Sequence, residues 1–171
     1  VQKTTGILAP ASSGSYNGGG GRRTDTSNHY SGYYSSNQGQ QKSAFCFPIP
    51  AAVRGCASVD KVEVSVKNLH SYSGAGVTQH LAVTHTQTAG PSWPGATGPF
   101  AGRATAKGGW YGGAEWVDIT GDKDPTFGAT VAENFRTRGA WGVCLVAPGT
   151  SQSYYSYWGG MRLRITYTVR I

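Results

Sequence analysis

Two tyrosine-rich segments are the parts of this chain whose residue types best suit chemistry with a ligand. Tyr30, Tyr33 and Tyr34 stand in DTSNHYSGYYSSNQGQQ (25–41), and Tyr154, Tyr155, Tyr157 and Trp158 stand in PGTSQSYYSYWGGM (148–161). Sugars present apolar C–H faces that stack on aromatic rings, while their hydroxyls need amides and hydroxyls alongside. Ser, Asn, Gln and Gly surround the rings of both segments. The chemistry expected is therefore non-covalent recognition of a glycan by Tyr33, Tyr34, Tyr154, Tyr155, Tyr157 and Trp158. Neighbouring residues of a strand face opposite ways, so Tyr33 and Tyr34 divide between two faces and some of these rings belong to the core. Trp93, Trp110 and Tyr111 form a further group in 89–114 and are expected at an interface.

Covalent chemistry has less to work with. Glycoside hydrolysis needs two carboxylates flanking the bond, and the acids are Asp25, Asp60, Glu63, Glu115, Asp118, Asp122, Asp124 and Glu133. Glu63 falls at an outward strand position, and Asp124 before Pro125 reads as a helix cap. Glu115 and Asp118, three apart on a strand, point to opposite faces. A glycan-cleaving enzyme resting on Glu115 or Asp118 is the least favoured alternative. His80 and His85 are five apart on one strand and diverge, whereas His29 and His70 read as ordinary surface residues. Asp122 and Asp124 lack the third oxygen ligand and the glycine of a calcium loop. No serine has a G-x-S-x-G context, and no phosphate-cradling glycine motif precedes a helix. No catalytic residue, metal or cofactor is expected.

The elements that must position these rings are strands. At 171 residues with 26 Gly, 8 Pro and only 13% charged residues, the composition fits one all-β domain with many turns. Fifteen Lys/Arg against eight Asp/Glu give a net charge of +7. The basic residues are scattered singly, so nucleic acid is not expected as a partner, whereas phosphorylated or teichoic-type surface glycans would be drawn by the same charge. Cys46, Cys56 and Cys144 form no zinc pattern, and a disulfide between Cys56 and either of the others is not indicated. No apolar run reaches the length of a membrane span, so no membrane insertion is expected. The chain begins with Val1 rather than Met, which suggests a fragment or a processed product.

Residues 59–69, VDKVEVSVKNL, carry the clearest pattern: Val62, Val64 and Val66 alternate with Lys61, Glu63, Ser65 and Lys67. Residues 77–85 alternate in the same way and are expected to form a hairpin with that strand. Further strands are predicted near Ile7 and Leu8, over 25–41 as a pair, over 43–49, 115–119, 141–147 and 162–171. Residues 50–58 read as a turn, 89–114 as a long loop and 148–161 as a second loop. Phe127, Val131 and Phe135 fall at i, i+4 and i+8 between Asp124 and Gly139, which predicts one short amphipathic helix. The expected architecture is an antiparallel β-sandwich of jelly-roll type with that single helix. Residues 1–24 would form an arm with the first strand, and 25–171 the sandwich domain.

The order YSGYYSSNQGQQKSAFCFP, VEVSVKN, WVDI with a following helix, and YYSYWGG ahead of RLRITYT resembles the C-terminal domain of actinobacteriophage minor tail proteins, across roughly residues 22–170. It is similar, more distantly, to β-sandwich domains of the DNRLRE type. The resemblance implies a non-enzymatic virion module, on a tail fibre or tail tip of the extracellular particle, that attaches to a host cell-surface glycan. Its partners would be that glycan and other virion subunits, within a homo-oligomer. The alternative it allows is a decoration or assembly protein whose loops contact neighbouring subunits.

Overall fold

The computed structural model describes residues 1–72, 77–95, 97–106, 116–124 and 127–170. The strands are β1 (Gln2–Thr4), β2 (Ser12–Tyr16), β3 (His29–Tyr33), β4 (Gln40–Cys46), β5 (Ser58–Ser71), β6 (Val77–Thr84), β7 (Thr97–Ala106), β8 (Val117–Asp118), β9 (Gly142–Val146) and β10 (Ser156–Thr168). Two short helices, α1 (Ala51–Arg54) and α2 (Val131–Arg136), interrupt them. All strand pairs are antiparallel, and they form one curled sheet in the order β7-β6-β9-β4-β3-β10-β5-β8, with β1 added to β10 and β2 to β4. Among the described residues no helix is long and apolar enough to cross a membrane.

The pattern of alternation explains the central pair. Val62, Val64 and Val66 of β5 are fully buried and lie beside Met161, Leu163 and Ile165 of β10, with Val64 opposite Leu163 and Val62 opposite Ile165. Each such side chain taken out of water stabilises the fold by about 1.5–3 kcal/mol. The curl turns this face toward Phe45 of β4, Leu81 and Val83 of β6, and Val143 and Leu145 of β9, and all of them join one core cluster. Val53 of α1 and Val131 and Phe135 of α2 belong to the same cluster. A smaller cluster on the other face of the β4-β9-β6 strands gathers Tyr16, Ala44, Cys46, Ala82, Ala89 and Cys144, with Trp93 packed against it. All three cysteines are buried and free.

The all-β expectation holds, with several local differences. β5 and β6 are not a hairpin: β6 pairs with β7 and β9, and β5 pairs with β10 and β8. Alternation fixes which face a strand buries but not its neighbour. The expected loop 89–114 contains β7, an end strand of the sheet, where Gly and Pro are tolerated because one edge needs no ladder partner. The first residues add two strands, while Leu8 makes only an isolated bridge to Leu163 and Ile7 is 60% exposed. Residues 51–54 form α1 rather than a plain turn.

The helix also begins later than expected. Thr130 caps α2 by accepting from the Glu133 N–H at 3.1 Å, so the cap is not Asp124. Asp124 is buried in the preceding turn, where its carbonyl accepts from the Gly128 N–H at 2.7 Å, and Pro125 lies outside the described residues. Phe127 precedes the helix and stays 62% exposed beneath the Arg138 guanidinium. Glu63 keeps the outward face, opposite Val62 and Val64, but is buried there: Arg164 Nε donates to its Oε1 at 2.8 Å, Lys61 lies 3.5 Å away, and the Arg164 guanidinium covers Trp116.

The greatest revision concerns 148–161, whose second half is strand. Trp158 and Met161 are both fully buried although they are three residues apart, an odd spacing that strict alternation forbids. The extra residue at Gly159-Gly160 is a β-bulge, seen as a register shift in which Trp158 faces Asn68 and Met161 faces Val66. The bulge resets the inward phase, so β10 runs unbroken from the tyrosines to Thr168.

Candidate functional site

At the Ser156 end of β10, three neighbouring strands bring a row of rings to one face. Tyr30 on β3 is the cross-strand partner of Tyr157 on β10, and Tyr157 is in register with His70 on β5. The Tyr30 and Tyr157 centroids are 5.2 Å apart, and the His70 and Tyr157 rings stack at 5.0 Å with 22° between planes. Tyr155 lies against this row, 6.1 Å from Tyr30, 6.4 Å from Tyr157 and 6.3 Å from His70. Tyr34, just past β3, is 4.8 Å from Tyr155, and Tyr72, just past β5, meets Tyr34 edge to face at 6.2 Å. Tyr34 and Tyr72 are each 51% exposed, so the far edge of the cluster is open to solvent.

Backbone geometry holds Tyr155 in the middle. Ser151 caps a 3₁₀ turn over Gln152–Tyr154 that descends onto β3. Gly32 makes that approach feasible: it has φ +98°, and a Cβ there would lie 2.8 Å from the Tyr154 carbonyl oxygen. Gln152 Nε2 donates to the Tyr34 carbonyl at 2.9 Å, and the Tyr72 N–H donates to the Tyr155 carbonyl at 2.9 Å. Beneath the rings runs a buried polar network. Ser31 Oγ donates to Gln79 Oε1 at 2.6 Å, and Gln79 Nε2 donates to the Tyr154 carbonyl at 3.1 Å and to Ser156 Oγ at 3.2 Å. Trp158 Nε1 donates to the same Ser156 Oγ at 2.9 Å. Satisfied groups of this kind fix one arrangement, because breaking any link leaves a buried polar atom without its partner.

The electrostatics suit neutral hydroxyl chemistry. Burial, then the neighbouring Tyr30 and Tyr157, push the Tyr155 phenol up to about 12, so it stays a hydrogen-bond donor at any physiological pH. Arg23 spreads its guanidinium over Tyr30 at 4.3 Å while pairing with Asp25 at 2.8 Å and donating to Gln41 Oε1 at 2.9 Å. That hydrogen bond from Arg23 holds the exposed Asp25 carboxyl below its ordinary range. Tyrosine rings with such flanking donors can stack on apolar faces of sugars and hydrogen-bond their edges.

Of the residues expected to bind a glycan, Tyr34, Tyr155 and Tyr157 are in the cluster. Trp158 is not available: it is fully buried, one residue after Tyr157 and on the opposite face. Tyr154 packs against the main core, and half-buried Tyr33 makes no ring contact among the described residues. Trp93 uses its ring inward, edge-on to Tyr16 at 5.4 Å with Lys42 over it at 5.0 Å, while Trp110 and Tyr111 lie outside the described residues. Tyr30 joins the cluster from a segment already singled out by composition. Arg23, His70 and Tyr72 were not legible as partners; the register of β5 on β10 is what brings His70 and Tyr72 in.

The remaining reactive side chains are engaged elsewhere. His29 is not a surface residue: its ring packs on Phe45 at 4.4 Å, its Nε2 lies 2.9 Å from Ser13 Oγ, and burial holds the imidazole down at about 4. His85 lies just past β6 with its Nε2 3.1 Å from Asn134 Oδ1. Asp118 accepts from the Thr120 hydroxyl at 2.5 Å, and Glu115 lies outside the described residues. No protein-family model matches this chain, and a comparison with characterised proteins gives no match either.

Proposed function

We propose that this chain is a non-catalytic phage virion module, of a tail fibre or tail tip, that attaches to a host cell-surface glycan by stacking sugars on the rings around Tyr155. The observation that carries the reading is the surface itself: six rings from β3, β5, β10 and the segments just beyond them gather on one face, with its outer edge exposed. A ring surface held by a buried hydrogen-bond network loses little side-chain entropy on binding, which favours affinity. The virion setting rests on the resemblance to actinobacteriophage minor tail proteins.

Titrating the purified protein with cell-wall polysaccharide from an actinobacterial host tests the reading. Tyr155→Ala is expected to weaken binding at least tenfold, equivalent to about 1.4 kcal/mol, with the protein still folded. Unchanged affinity in that variant would remove the surface from the account. A second reading, subunit contact within a virion, draws on the exposed Tyr34 and Tyr72, since tyrosine is also typical of protein interfaces. It predicts self-association that Tyr34→Ala or Tyr72→Ala abolishes, with no glycan binding.

A further inference from the structure

Beside the ring cluster, Arg22, Arg23, Thr24, Thr26, Gly90 and Pro91 line a cleft of about 560 Å³. Arg23 belongs to both, since it borders the cleft and covers Tyr30. The two arginines are held in different ways. Arg23 is neutralised by Asp25. Arg22 is fixed by neutral acceptors: Nη1 donates to the Ala89 carbonyl at 2.6 Å and Nη2 to the Ser13 carbonyl at 2.5 Å. Its backbone N–H donates to the Pro91 carbonyl at 3.0 Å, so main chain and side chain are both anchored at the cleft wall. No carboxylate among the described residues forms an ion pair with it. Two hydroxyls stand nearby: Thr24 is exposed, and Thr26 Oγ1 accepts from the Asn28 N–H at 3.0 Å, which leaves its own hydrogen to donate.

We propose that the glycan bound at the ring surface is anionic and that a phosphate or carboxylate on it docks in this cleft against Arg22, with Thr24 and Thr26 as hydroxyl donors. The inference rests on the glycan-binding reading above and names the class of its ligand. A guanidinium already immobilised by two carbonyls gives up little freedom when it meets an oxyanion, and the charge-assisted bond is stronger than one to a neutral hydroxyl. One arginine without a counter-charge beside six rings suits an anionic group set among several sugars. A nucleic acid backbone, charged at every unit, calls for a basic track along the groove.

The test separates actinobacterial cell-wall polysaccharide by anion exchange into neutral and acidic pools. It also uses portions of the acidic pool stripped of phosphate with hydrofluoric acid or with carboxyls reduced. The parent protein is expected to bind the acidic pool at least tenfold more tightly than the neutral one, and the advantage should shrink when salt rises from about 50 to about 200 mM. Whichever treatment abolishes the preference identifies the oxyanion. Arg22→Gln should bring both pools to the same affinity while Tyr155-dependent binding of the neutral pool persists. Because Arg22 also ties two carbonyls, Thr24→Val is the second variant, expected to reduce the acidic-pool preference about threefold. Equal binding of the two pools by the parent, or a full preference retained in folded Arg22→Gln or in Thr24→Val, would overturn the inference and leave the glycan reading intact. Absence of any Tyr155-dependent binding would instead defeat the glycan reading. Tighter binding of a single-stranded oligonucleotide than of the acidic pool would overturn the inference in favour of nucleic acid.

Discussion

Two consecutive cross-strand pairs of β3 and β10 have opposite fates. Tyr30 and Tyr157 face outward and join the ring surface, whereas His29 and Trp158, one position along, face inward to the core. Both pairs are aromatic and both strands are the same; only the phase of the pleat separates them. The inner pair is held by surroundings that tolerate little change: Trp158 is fully buried with its indole N–H on Ser156, and the His29 imidazole is kept neutral. The outer pair keeps an open side, with His70 and Tyr155 stacked on it and Arg23 at its margin. A ring-rich stretch of sequence is thus two things at once, a core layer and an outward ring cluster, and the division runs residue by residue.

The inner pair is the place to break that contrast most severely. Trp158→Ala should destabilise the protein by about 3–5 kcal/mol, since it opens a large cavity and removes a donor from Ser156. A denaturant midpoint close to the parent's would mean that Trp158 does not anchor the core. His29 gives a slightly smaller effect that depends on pH. Its folded value of about 4 lies below the ordinary 6.5, so the unfolded chain takes up a proton first as pH falls. Stability from this group is fully present above pH 6.5 and is lost progressively toward pH 4, by about 3 kcal/mol in all. His29→Gln should flatten the stability curve across that window, and an unaltered slope would place the titration elsewhere.

The outer pair sharpens the contrast through binding rather than stability. Tyr157→Ala should reduce affinity for host wall polysaccharide about tenfold while costing less than about 1 kcal/mol in unfolding free energy. Tyr33→Ala, from the same tyrosine run but away from the cluster, should leave the affinity within about twofold of the parent. Equal losses from the two substitutions would show that the cluster has no privileged role.

Composition and alternation were enough to establish an antiparallel β protein, the buried faces of β5 and of the Arg162–Thr168 part of β10, and the two tyrosine segments as the source of a surface. They reached this because a pleated strand converts sequence parity into face directly, as Val62, Val64 and Val66 show. Parity fails where the chain changes it: the Gly159-Gly160 bulge gives a strand the composition of a loop, and Trp158 lies in the core although its segment reads as surface. The helix cap moved from Asp124 to Thr130 because a turn, not a helix, follows Asp124. Which strands became neighbours was decided only by the tertiary fold, since long-range pairing depends on the whole apolar surface closing at once. The register of β5, β3 and β10 therefore placed His70, Tyr72 and Tyr30 around Tyr155 from three separate places in the sequence, and Arg23, lying over Tyr30, joins that cluster to the cleft that Arg22 lines.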